Sequence, residues 1–214
     1  MNLCVLLAAT LIANSPVADE AHRIHANIRE TWYSHKTVVD EGTGRYGVDC
    51  SGFATLILKH AAPRQLAAVP HKDTRRRPLA YEFYEAFADA PPTAKESATG
   101  WLRVERLRDA RPGDFIAWRK IHLEPGESTG HIVMVDEAPV REPDGRYRVV
   151  VMDSTSAPHA NDTRKDGANG IGRGTMWFAV DDAGRPTGIN WRNRALAPRS
   201  ASPISIGRVL LKDR

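Results

Sequence analysis

The chain has 214 residues, enough for one domain or for one domain with a sizeable insertion. Its 42 % apolar content supports a buried core, and a net charge of +4, carried mostly by scattered arginines, suits anionic partners such as cell-wall polymers. The one basic run, Arg75-Arg76-Arg77, fits a solvated loop better than a nucleic-acid patch, so no nucleic-acid partner is expected.

The N-terminus resembles an export signal. Residues 3–13, "LCVLLAATLIA", form an apolar core of signal length, too short for a bilayer span, and small residues between Ala13 and Ala18 offer cleavage points. No Lys or Arg precedes this core, and a buried N-terminal helix or strand is the competing reading. Export would make residues 1–18 the signal and 19–214 a single mature domain. Cys4 would leave with the signal, and Cys50 would remain as a free thiol with no internal disulfide partner. No other stretch is apolar and long enough to cross a membrane.

Residues 19–34 predict a helix with Ile24, Ile28 and Trp32 on one face. Residues 35–48 are polar and contain glycine, which predicts a loop. Residues 50–61 predict a second helix, closed by Pro63. Residues 64–111 have the character of an insertion, with a helix at 79–88. After "RPGD" the pattern changes to short β-branched and aromatic runs: "FIAW", "HIVMVDE", "YRVVVMDS", "GTMWFAVD" and "SIGRVLL". Helices followed by strands predict an α+β domain with an antiparallel sheet. The Gly-rich "DGANGIGRG" at 166–174 lacks the strand-then-helix context of a phosphate loop and predicts a loop before a strand.

Cys50, in "YGVDCSGFATLILK", opens the second helix. There a thiol meets unpaired backbone N–H groups and the positive end of the helix dipole, and both favour the thiolate. Gly52 removes bulk beside it, which would let a substrate backbone approach. The bland reading is a stripe: Cys50, Phe53, Ala54, Ile57 and Leu58 follow the spacing of a buried helix face, and cysteine is a common small hydrophobe. A nucleophile also needs a base and an orienter. His131 stands at the mouth of an apolar strand in "STGHIVMVDE". If the next strand, "YRVVVMDST", pairs antiparallel with it, Asp153 can accept the second imidazole N–H of His131. His159, in "DSTSAPHANDTR", is a substrate contact or a rival base with Asp162 nearby. A strand positions His131 better than a Pro-preceded loop positions His159. Asp153, His159 and Asp162 match no metal-ligand spacing, so no metal or other cofactor is expected.

"DCSGF", "LRDARPGDFIAW", "TGHIVMV" and "VVVMDST", in this order, resemble the NlpC-type cell-wall cysteine peptidases, with the match running over residues 44–155. The resemblance implies a papain-like α+β fold, with N-terminal helices and the nucleophile-bearing helix packed on a small antiparallel sheet. It implies Cys50 as nucleophile, His131 as general base and Asp153 as orienter. Tyr46, Asp49, Ser51 and His159 become candidate substrate contacts. The implied reaction is cleavage of peptidoglycan stem peptides, at a bond involving a D-amino acid, by an exported enzyme. Two features depart from the family pattern. The family carries a Tyr followed by a Gly pair several residues before "DCSG", whereas here Tyr46 stands four residues before Cys50 with one Gly after it. The third polar residue is most often His there and is Asp here. An amidase or acyltransferase using the same three residues, or a non-catalytic module of the same fold, are the other expectations. Arg173 and Arg208, each beside a Gly, are expected to brace the sheet rather than to bind an anionic substrate.

Overall fold

A computed structural model describes residues 15–123, 127–192 and 202–211. The proposed signal core at 3–13 lies outside the described residues. Its candidate cleavage zone does not: helix α1 spans Pro16–Asn27, and Val17 and Ala18 are buried. A cut after Ala18 would therefore remove two core residues, whereas a cut near Ala13 would leave α1 whole.

The helix expected over 19–34 ends at Asn27, because Ile28 adopts extended backbone, and the β-prone "ETWY" that follows becomes β1 (Glu30–Tyr33). Trp32 is thus a strand residue. The segment expected as loop contains β2 (Val38–Asp40) and β3 (Arg45–Val48). Strand β3 pairs parallel with β1 and antiparallel with β2 in a three-stranded sheet. Local polarity conceals these strands, since their pairing lies across the chain.

Helix α2 (Cys50–Ala61) falls where its periodicity places it. Pro63 does more than close it, since it opens the short α3 (Pro63–Ala67). The expected helix at 79–88 is α4 (Ala80–Asp89). Strands β4 (Trp101–Arg103), β5 (Phe115–Arg119), β6 (Gly130–Val135), β7 (Val140–Arg141), β8 (Tyr147–Thr155), β9 (Gly170–Val180), β10 (Pro186–Asn190) and β11 (Ile204–Val209) complete the chain. They form an eight-stranded antiparallel sheet in the order β10-β9-β8-β6-β5-β11-β4, with β7 on β8. The protein is α+β, as its order of elements predicts, but the sheet is not small and a second sheet sits among the N-terminal helices. The Gly-rich stretch is no loop from Gly170 onward: it is the first half of β9.

Side chains alternate across the large sheet. Ile132, Met134 and Met152 face a core built with α1, α2 and α4, while Val133, Val135, Val151 and Phe178 build a second core with Ile116 and Ile206. Helix α2 packs on β6 and β8, and α4 packs on β4, β5, β6 and β11. The 64–111 segment is therefore built into the first core through Phe83, Phe87 and Trp101. Among the described residues no helix is long and apolar enough to cross a membrane.

Candidate active site

Asp49 caps α2 from extended backbone: its Oδ1 accepts from the Gly52 N–H (2.7 Å) and from the Ser51 hydroxyl (3.1 Å). Cys50 is the first helical residue, so its backbone N–H has no intrahelical acceptor. It is 5 % exposed and packs at the edge of the first core, so the stripe and the thiol's position at the helix start are both real. Gly52 is buried, and a Cβ there would lie 3.2 Å from both Val48 and Asp49. Its lack of a side chain serves the cap rather than a substrate.

His131 is the second residue of β6. Gly130 before it sits at φ +144°, and a Cβ at that position would lie 2.0 Å from the Trp118 carbonyl oxygen. Only glycine lets the chain enter the strand so close to β5. Met134 faces Met152 across the β6–β8 ladder, which makes Asp153 a same-face diagonal neighbour of His131. The His131 Nε2–H donates to Asp153 Oδ2 at 2.6 Å, and the ring also contacts the Cys50 thiol, for which Nδ1 is left. Burial disfavours the charged ring. The negative charge of a Cys50 thiolate and the Asp153 carboxylate outweigh that and push His131 up to about 10. Trp118 and Trp191 pack around the ring at 5.2 and 4.9 Å between centroids and shield it from water.

Asp153 is fully buried. Burial alone would push its carboxyl up, but His159, His131 and Arg164 hold it well below the usual carboxylate range. Arg164 carries no signal of this role in the sequence. It donates to Asp153 Oδ1 at 3.0 Å and to both oxygens of Asp162 at 2.8 Å. Gly172 makes room for it, because a Cβ there would lie 2.4 Å from its Nε.

The four candidate substrate contacts are placed differently from Cys50, His131 and Asp153, which the structure brings together. Tyr46 is 0 % exposed in the first core, and its hydroxyl accepts from Asn27 Nδ2 at 2.8 Å, so it does not reach a substrate. Asp49 and Ser51 line the cleft at Cys50, and their polar atoms are also engaged within the fold. Arg77 donates from Nη2 to Asp49 Oδ2 (2.8 Å) and from Nη1 to the Ser51 hydroxyl (2.5 Å), and His35 Nδ1 donates to the same Asp49 oxygen at 3.1 Å. Burial would raise the Asp49 carboxyl, but Arg77, the Gly52 N–H and His35 keep it below its ordinary value. His159 is buried behind Asp153, away from solvent. The Arg75–Arg77 run is correspondingly no free solvated loop: Arg75 pairs with Glu82, Arg77 clamps the cap, and only Arg76 is exposed.

Arg77→Met is expected to lower the unfolding free energy by about 2–4 kcal/mol, because it strips a buried carboxylate of its cation. A urea midpoint equal to that of the wild type would show that the clamp contributes nothing.

A cleft of about 60 Å³ opens on Cys50. Tyr33, His35, Asp49, Ser51, Leu79 and Ser128–Gly130 are among the residues that line it. Tyr33 is the site tyrosine that the sequence pattern does not reveal, because it lies on β1, where the apolar spacing predicts helix. Burial together with the nearby Cys50 and Asp49 charges raises its phenol above its ordinary value. A larger hollow of about 250 Å³ between β4, β10 and β11 is lined by Arg103, Glu105, Arg185 and Ser205, with no cysteine or histidine among its lining residues. The smaller cleft is the one that brings a thiol beside an imidazole. Arg208 grips Asp114 of "RPGD" through two hydrogen bonds (2.7 and 2.8 Å), and Arg173 pairs with Asp136 and Glu137. Both brace the sheet. Among the described residues no His, Cys, Asp or Glu group is arranged to hold a metal ion. Asp162 and Asp153 are occupied by Arg164.

No family model matches the chain, and no solved structure matches it. The chain is 28 % identical over 182 residues to an uncharacterized protein of Acanthamoeba polyphaga mimivirus, an alignment covering 75 % of this chain and 77 % of that relative.

Proposed function

We propose that the protein is a thiol-dependent amide hydrolase of papain-like architecture, and that it acts as an exported peptidase on peptidoglycan stem peptides. The observation that carries this reading is a run of contacts among three buried groups: a thiol at a helix start, an imidazole against it, and a carboxylate 2.6 Å from the imidazole. Cys50 Sγ, as thiolate, attacks the amide carbonyl carbon. The oxygen's new negative charge is met by the free Cys50 backbone N–H. His131 gives its Nδ1 proton to the leaving amine, the C–N bond breaks, and a thioester remains. Neutral His131 then takes a proton from water, hydroxide attacks the thioester, and the acid leaves with the thiolate restored. Asp153 holds the ring in the required tautomer throughout. The substrate class rests on the resemblance of the "DCSGF", "RPGD" and "TGHIVMV" segments to the cell-wall peptidases, and export rests on the apolar run at 3–13.

The test needs no substrate. In a Cys4→Ser background, iodoacetamide should alkylate Cys50 well below the free-thiol value of ~8.5, and His131→Ala should move the profile upward. Release of peptides from isolated sacculi by the wild type, and none by Cys50→Ala, would then assign the substrate. A Cys50 that reacts slowly and identically with and without His131 would mark a structural cysteine and end the hydrolase reading.

A further inference from the structure

The triad carboxylate carries a second imidazole. Asp153 Oδ2 accepts from His131 Nε2 at 2.6 Å and from His159 Nε2 at 2.9 Å, while Oδ1 accepts from Arg164 Nη2 at 3.0 Å. The side chains of Asp153 and His159 are both 0 % exposed, so His159 meets neither solvent nor substrate. Its place is built with care. The His159 N–H donates to Asp162 Oδ2 at 2.7 Å, and Ala160 is stitched to Thr175 of β9 by a reciprocal pair of backbone hydrogen bonds. Gly174 leaves the space, since a Cβ there would lie 2.7 Å from the His159 Cβ. The Trp191 ring packs against the imidazole at 4.4 Å between centroids, tilted by 47°, and the Trp191 carbonyl oxygen lies 3.4 Å from Nδ1. The charged groups facing His159 are thus Asp153, Asp162 and Arg164, with His131 across the shared oxygen.

We infer that His159 is a positioning residue: with Arg164 it locks both oxygens of Asp153, so that one lone pair of Oδ2 stays aimed at His131. A carboxylate with one donor can rotate and exchange its oxygens. A carboxylate with three donors, two on one oxygen and one on the other, is fixed. The fixed oxygen holds the His131 ring, and the ring holds the Cys50 thiolate in an ion pair. The inference rests on Cys50 being the nucleophile. It goes beyond that reading by giving the 156–164 loop a task that a three-residue site does not require.

The experiment is the pH profile of Cys50 alkylation by iodoacetamide, run on the full chain in the Cys4→Ser background from about pH 5 to pH 9, which brackets the free-thiol value of ~8.5. Wild type is compared with His159→Ala, His159→Gln, His159→Asn and His131→Ala. A Gln amide nitrogen reaches the place of His Nε2, and an Asn nitrogen falls short of it. His159→Ala and His159→Asn should react about tenfold more slowly near neutral pH, with the profile displaced upward by about one pH unit, and His159→Gln should stay within about threefold of wild type. A role in packing alone would lower thermal stability in all three variants without moving the profile.

The inference is overturned if the Ala profile matches wild type, or if Gln is displaced as far as Asn. Should His159→Ala fail to fold, the contrast between Gln and Asn decides alone. A profile that moves in His131→Ala but in none of the His159 variants overturns the positioning role and leaves the nucleophile intact. A wild type that matches His131→Ala overturns both.

Discussion

Replacing Asp153 with asparagine is expected to slow peptide release from sacculi by about 10²- to 10⁴-fold and to cost about 2–4 kcal/mol of stability. The carboxylate accepts from His131 and His159 on Oδ2 and from Arg164 on Oδ1. An amide has one acceptor oxygen. If that oxygen faces the histidines, the amide N–H₂ points at the buried Arg164 guanidinium. If it faces Arg164, both imidazoles lose their acceptor and His131 is free to take the wrong tautomer. Either arrangement leaves buried donors opposed, which explains why a nearly isosteric change should cost so much. The pH dependence separates this from a packing defect. A carboxyl held low in the fold adds stability at every pH above its unfolded value of about 3.9 and loses that contribution as pH falls through the folded value. The gap in urea midpoint between wild type and Asp153→Asn should therefore be full near neutral pH and shrink in strong acid. A constant gap would assign the loss to shape rather than charge, and unchanged peptide release would remove Asp153 from the machinery.

Replacing Phe87 with alanine is expected to cost about 3–5 kcal/mol, as for other fully buried phenylalanines. Phe87 is 0 % exposed, and its ring lies 6.0 Å from Phe83, 4.8 Å from Trp101 and 6.4 Å from Phe115 between centroids. Those partners come from α4, β4 and β5, so the ring ties the 64–111 segment to the sheet that carries His131. Few contacts could close over the void, because the neighbours are rings already packed against one another. A loss of this size would be a large share of the stability of an ordinary domain, typically about 5–15 kcal/mol. The readout is the urea midpoint at constant slope. A loss under about 1 kcal/mol would mean that the segment is an appendage that unfolds on its own, contrary to the packing of α4 on four strands.

Elements with strong local signals are legible in the amino-acid sequence alone. Helix α2 declares itself through its apolar spacing, and β5, β6 and β8 through β-branched and aromatic runs. Strands β2 and β3 do not, because they lie in a polar, Gly-containing stretch and form by pairing with each other and with β1, while β1 is hidden because Trp32 continues the helical spacing of Ile24 and Ile28.

The amino-acid sequence by itself determined the α+β class and the set of residues from which a thiol site can be made. Cys50 opens a helix, His131 a strand, and Asp153 lies near the end of the next apolar run, and all three signals are local in the chain. Only the tertiary structure decided what surrounds them. Tyr46 and Asp49 stand close before Cys50 in the chain, which makes them natural candidates for substrate contact, yet one is buried in the core and the other, though it lines the cleft, is clamped by Arg77. Arg164 and His159 converge on one carboxylate because β9 runs beside β8 with Gly172 and Gly174 at the crossing. Tyr33 reaches the cleft through a parallel strand pair. Those arrangements depend on register and on which backbones can approach closely. The hydrophobic pattern fixes which face of a strand is buried, but which distant segment pairs with it is decided by the packing of the whole chain.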